Sequence, residues 1–442
     1  MHFWFIILLL CGRGASEETP KSIIVFARHG ARFSFLQPNH GTLTQNGTKM
    51  MYLLGLRLKE KYPDLLSGPF DSKRHRAVAS GMYRTILSAL ALLQGIFDFG
   101  TMDGKPLKAA EKFLGPPWKG WASESQSASE KDTALPHGAQ VFPLHSHRFD
   151  HNYIFDPYPW SFCPQNLHFP PEAFARIDRF VDLFNSLMPD LEAEGIEVSR
   201  WLKGGRLEHI QDWYLLYDII TALKTQGQLQ ISEFNYERLA IMFSMGAIIY
   251  FEQEPGKLQF FSGFLLKRIE AQLKDVGAQL EASDPFLQTF SLFLGHDINI
   301  LSFLVIFGQT SYDCLEKWFL SGRKEGPCFY NPPFSSAMVF EIHQGSDANI
   351  WVDILLNEKK LEICPERCSL ENLLDVLDDN IHRGSDLEVL EAYCFMQRSN
   401  SKKNAAWGTV FFLTLSSVLA ILLFKARRDL QDREASSLAN FE

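Results

Sequence analysis

Arg28, His29 and Arg32 follow five apolar residues in the stretch IIVFARHGARF, Ile23 to Phe33. Two guanidiniums and an imidazole repel one another if all are charged, and burying them is costly unless an anion completes the set. Forked hydrogen bonds from the arginines can hold the non-bridging oxygens of a phosphoryl group. A neutral imidazole between them can attack phosphorus. Gly30 lets the backbone run close to a ligand.

The second group is His296 and Asp297 in FLGHDIN, again after an apolar run. Alone, such a pair is most often a turn and a helix cap. Beside the first group it gains a chemical sense. A second imidazole binds the phosphoryl group, and a carboxylic acid gives a proton to the leaving oxygen when His29 becomes a phosphohistidine.

Both groups must be delivered by strands. In a doubly wound sheet the carboxyl ends of the strands open into the ligand crevice, so two strand-end clusters can share one site. From Lys21 to Phe97 a buried-type strand alternates with helical patterns, TKMMYLLGLRLKEKY and YRTILSALALLQGIF. That rhythm predicts an α/β core sheet with helices on both faces. Thr101 to Pro170 is rich in Pro, Gly, Ser, His and aromatics and reads as long loops over a pocket, without a regular element. Helical patterns fill Pro171 to Glu252 and predict a helical cap insertion, after which the alternating rhythm returns. The expected division is a core at 17–105, a cap at 106–254 and the rest of the core at 255–400.

The ends carry different signals. Residues 1–16 show an apolar run closed by Ala15 and Ser16, the pattern of a signal peptide. Residues 405–424 are uncharged and precede Lys425, Arg427 and Arg428, which predicts one transmembrane helix and a cytoplasmic tail at 425–442. The expectation is a single-pass type I membrane protein, lysosomal or at the cell surface, with its body outside the cytosol. Its tail shows no tyrosine and no paired leucines to choose between them. The net charge of -9 leaves no electrostatic footprint for nucleic acid. With 46% apolar residues the chain can bury a large core.

Export leaves six of the seven cysteines once Cys11 is removed, an even number suited to disulfides. Cys364 and Cys368 could close a small loop or, in a reducing compartment, ligate metal; export favours the disulfide. Asn46, in the sequon NGT, is an expected glycosylation site. His137, His145, His147 and His151 invite a zinc reading. Four ligands from one unsupported loop are less common than pocket-lining histidines, so they are read as shaping the pocket mouth. Trp201, Trp213 and Trp318 are read as packing residues.

The sequence resembles the histidine acid phosphatases, the branch that includes secreted, lysosomal and prostatic-type enzymes, over nearly the whole exported body. RHGAR and GHD match its two signatures, supported by LTQNGTKMMYLLGLRLKEKY, YRTILSA, LQFFSGFLLKRIEAQL and NPPFSSAMVFEIH. The resemblance implies His29 as nucleophile, Asp297 as general acid, and Arg28, Arg32 and His296 as phosphate ligands. It also implies a phosphate monoester substrate, an acid optimum, no cofactor or metal, and pairing as a homodimer. It would join Cys163 to Cys394 and Cys364 to Cys368. The remainder, Cys314 and Cys328, suggests a private bridge.

Two departures stand out. Ser34 occupies a position where the family usually has proline. A further phosphate-binding arginine is expected where this chain has Val78; Arg76, His75 or Arg74 could substitute, and Arg76 is the named candidate. Loss of that donor leaves two alternatives open beside a general acid phosphatase: a specialised, phytase-like enzyme and a silent membrane receptor with the same fold.

Overall fold

The computed structural model describes residues 19–34, 36–97, 141–146, 171–208, 212–251, 257–322, 328–364 and 367–381. All belong to one of two units of the chain; the other, 159–167 and 386–442, lies outside the described residues. So do the expected leader, the 405–424 segment, the tail, Cys163 and Cys394. Among the described residues no helix is long and apolar enough to cross a membrane.

In chain order the strands are β1 (Ser22–Arg28), β2 (His75–Ala79), β3 (Leu144–Ser146), β4 (Phe290–Gly295), β5 (Ala337–Gln344), β6 (Ile350–Leu356) and β7 (Lys359–Lys360). They form a single sheet of order β3-β2-β4-β1-β5-β6-β7. β3, β2, β4 and β1 run parallel, and β5 to β7 add an antiparallel flank. The helices are α1 (Gln45–Lys61), α2 (Pro63–Leu66), α3 (Tyr83–Ile96), α4 (Pro171–Ala193), α5 (Trp213–Thr225), α6 (Glu233–Phe251), α7 (Lys257–Glu281), α8 (Asp297–Ile306), α9 (Tyr312–Leu320) and α10 (Leu370–Ile381).

β1 explains its own sequence. A strand in the middle of a sheet covered on both faces buries every side chain, so it reads as a continuous apolar run without alternation. Ile24 and Phe26 pack with Leu265, Ile269 and Leu273 of α7, Phe303 of α8 and Leu373 of α10. Ile23, Val25 and Ala27 face the other way, onto Met51 and Leu58 of α1 and Ala89 and Leu92 of α3. The α/β core with helices on both faces is thus as expected.

Between β3 and β4 the described chain is helical. α6 is apolar all round, as a helix buried on every side must be, and it is packed by α4, α5, α8 and α9. Trp213 is buried against Phe243 and Tyr250, the packing role expected of it. β3 corrects the sequence reading, which placed no regular element between Thr101 and Pro170. It has three residues, pairs among the described residues with Ala77–Ala79 of β2, and leaves His145 exposed at the sheet edge. So short an edge strand gives no periodicity to detect. Bridges join Cys314 to Cys328 and Cys364 to Cys368, as expected.

Candidate active site

Parallel pairing brings the two motifs together. Arg28 at the end of β1 is in register with Gly295 at the end of β4. The next residues, His29 and His296, therefore leave the sheet side by side, with ring centroids 5.4 Å apart. β2 ends at the same level, where the Ser80 N–H donates to the Leu294 carbonyl at 2.9 Å. The site lies at the carboxyl ends of adjacent parallel strands, where such sheets bind ligands.

His29 is held as a defined tautomer. Its Nδ1 lies 2.8 Å from the Gly30 carbonyl oxygen, which can only accept, so Nδ1 carries the proton and Nε2 keeps its lone pair. Arg84 Nε donates to that Nε2 at 3.1 Å. The ring is buried, and burial, followed by Arg84, His296, Arg28 and Arg32, holds its pKa well below the usual histidine value. His296 is lowered likewise by burial, then by Arg84, Arg32 and Arg28. Its Nε2 is 3.1 Å from Ser80 Oγ.

Arg28 is fixed on three sides. Its Nη1 donates to the Pro332 carbonyl at 2.6 Å, Nη2 pairs with Asp297 Oδ2 at 2.8 Å, and the guanidinium stacks 4.2 Å over the Phe334 ring. Arg28 Nε is buried without a hydrogen-bond partner among the described residues, a donor suited to a ligand oxygen. Asp297 opens α8, and its Oδ1 accepts from the Ile298 N–H at 2.8 Å.

Arg32 reaches the cap. Both of its terminal nitrogens engage the Asp218 carboxylate of α5, Nη1 to Oδ2 at 3.4 Å, and Nη1 also donates to the Phe33 carbonyl at 3.2 Å. The loop between is built on close approach. A Cβ on Gly30 would meet the Gly47 carbonyl oxygen at 2.2 Å, and one on Gly47 would meet that of Ala31 at 2.0 Å. Ser34 donates its N–H to Gln37 Oε1 at 2.8 Å, a bond that a proline there would forfeit.

Arg28, His29, Arg32, His296 and Asp297 are thus brought together. Arg76 is not, which corrects the sequence reading. It is exposed near the amino end of β2, paired with Ser291, three residues before the crevice end at Ala79. That places it about 10 Å back along the strand. His75 is buried at the same remote end among Phe70, Phe97 and Phe290, and Val78 is core. The structure instead places Arg84, near the start of α3, beside His29. Its signal was available in the sequence: Arg84 follows a buried strand and opens a helix, as Asp297 does. Asp218 lies within an amphipathic helix and carries no local signal. Asn46 is exposed, its Nδ2 donating to the Thr225 carbonyl at 3.2 Å. His137, His147 and His151 lie outside the described residues.

No family model matches the chain, and no curated protein is similar to it in sequence at a significant level. Its backbone is similar to that of the phytase from Citrobacter braakii, with a TM-score of 0.52 and 14% identity over 82% of this chain and 98% of that one. It is also similar to the phytase of Klebsiella sp ASR1, with a TM-score of 0.52 and 13% identity over 83% of this chain and 96% of that one. The fold is one that phytases share. At such low identity the likeness establishes the architecture, in keeping with the fold that the histidine acid phosphatase resemblance implies.

Proposed function

We propose that the protein hydrolyses phosphate monoesters through a phosphohistidine on Nε2 of His29. The observation that carries this reading is the His29 environment. Its Nδ1 proton is given to a carbonyl, its Nε2 lone pair is directed to Arg84, and Arg28 and Arg32 stand around the same ring.

The steps follow from the residues. A phosphoryl group takes over the guanidiniums, drawing Arg84 from Nε2 onto a phosphoryl oxygen. Nε2 forms the N–P bond as the ester P–O bond breaks, and protonated Asp297 gives its proton to the leaving oxygen. Water then attacks the phosphohistidine, Asp297 takes a proton from it, and phosphate leaves with His29 neutral again. The arginines stabilise charge on the equatorial oxygens throughout. Arg84 adds a third guanidinium beside His29, which favours an enzyme over a silent receptor.

The exported setting is part of the same proposal. It is supported by the apolar first 16 residues, by the 405–424 segment with its basic flank, and by the two disulfides. The test is phosphate release from an aryl phosphate by the full-length chain, from about pH 4 to about pH 8, beside His29→Ala. Acid-range turnover that vanishes in the variant is expected. A folded wild type that releases nothing, or a variant that retains turnover, overturns the reading.

A further inference from the structure

The ion pair between Arg32 and Asp218 joins a phosphate ligand of the core to a helix of the cap. Asp218 is largely buried, its side chain 10% exposed, and it also acts electrostatically on Arg84. Asp297 already neutralises Arg28, and both histidines are held neutral by burial and by the arginines. The charge of Arg28, Arg32 and Arg84 is therefore set against two carboxylates, and one of these does not take part in the chemistry.

We infer that Asp218 is a specificity-determining residue, a fixed negative charge that admits monoesters with neutral or cationic leaving groups and disfavours those bearing further phosphates. This rests on the phosphomonoesterase reading. One phosphoryl dianion more than offsets the single positive charge that the three arginines keep against the two carboxylates, and a second phosphate meets the Asp218 carboxylate with none of these three arginines left to compensate it. Within the described cap, Arg179, Lys224 and Arg238 each sit on a carboxylate of their own, Glu316, Glu233 and Asp190. A like charge built into the wall of a site is the repulsive element by which specificity is set.

The experiment compares kcat/KM on an aryl phosphate and on phytate for full-length wild type, Asp218→Asn and Asp218→Glu. The expected result is a phytate-to-aryl ratio raised about tenfold in Asp218→Asn and kept at the wild-type value in Asp218→Glu. A ratio that is unmoved or lowered in Asp218→Asn overturns the proposal. Calorimetry on the wild type decides independently of any variant. Phytate should bind no more tightly than inorganic phosphate, and phytate binding tenfold or more tighter sinks the idea. If wild type binds inorganic phosphate in preference to phytate yet hydrolyses no ester, the charge filter stands and the phosphatase reading falls.

Discussion

Arg84 Nε donates to His29 Nε2 across 3.1 Å, so the lone pair proposed to attack phosphorus faces a cation that the proposed mechanism transfers to the substrate. Arg84 thus lowers the basicity of His29, and under the proposed mechanism it also supplies a phosphoryl donor. Replacing Arg84 by Gln removes a charge-assisted donor from a buried site. The expected loss in kcat is about 100- to 1,000-fold, corresponding to roughly 3 to 4 kcal/mol. Arg76→Gln, at the remote end of β2, should leave kcat and KM unchanged. Steady-state kinetics on an aryl phosphate checks both, and equal losses in the two variants would remove Arg84 from the site.

How much of this was legible in the sequence depends on the kind of signal each residue leaves. Arg28, His29, Arg32, His296 and Asp297 sit where buried strands end, and an unbroken apolar run stopping at charged residues is visible in one dimension. Arg84 obeys the same strand-then-helix rule, whereas the family resemblance points to Val78 and its neighbour Arg76. Val78 lies within β2, facing the core, whereas Arg84 enters the site from the start of α3. Asp218 could not have been read at all, since its partner is 186 positions away and only the packing of the cap brings them together. β3 was missed because an edge strand of three residues has no period.

The depressed pKa of His29 makes a kinetic prediction with a definite sign. A lowered imidazole pKa means that the ring takes up its proton only well below pH 6.5, so the nucleophile stays neutral and competent through the acid range. The profile of kcat/KM for the wild type should therefore hold as pH falls through about 6.5. After burial, Arg84 is the largest cause of the shift, so Arg84→Gln should move the acid limb upward, toward the ordinary histidine value. A limb in the same place in both proteins would show that another group sets it.

Gly47 predicts a coupling between packing and catalysis. Its Cα lies under Ala31, and an added methyl would drive against a backbone carbonyl that cannot yield like a side-chain tip. Gly47→Ala should destabilise the fold by about 1 to 3 kcal/mol and also lower kcat, because the displaced segment carries Arg28 to Arg32. Gly68→Ala is the control: its surroundings are open but its φ is +90°, so it should lower stability without changing kcat. Thermal melts and kinetics on both variants separate the two effects.

His75 predicts how stability varies with pH. It is buried among Phe70, Phe97 and Phe290, its Nδ1 accepts from the Asp71 N–H at 3.0 Å, and its pKa is lowered to about 4, by burial first and then by Arg74. The unfolded chain binds the proton near pH 6.5 and the folded one does not until about pH 4, so stability falls as pH drops between those values. His29 and His296 act with the same sign. The ceiling for His75 alone is about 3 kcal/mol. His75→Leu should therefore melt lower than wild type at pH 7, having lost a hydrogen bond, yet lose less of its Tm on passing to pH 5. Inorganic phosphate should raise the acid Tm of both by mass action at the distant site. If the acid-induced fall in Tm were the same in both proteins, His75 would not be a source of the acid sensitivity.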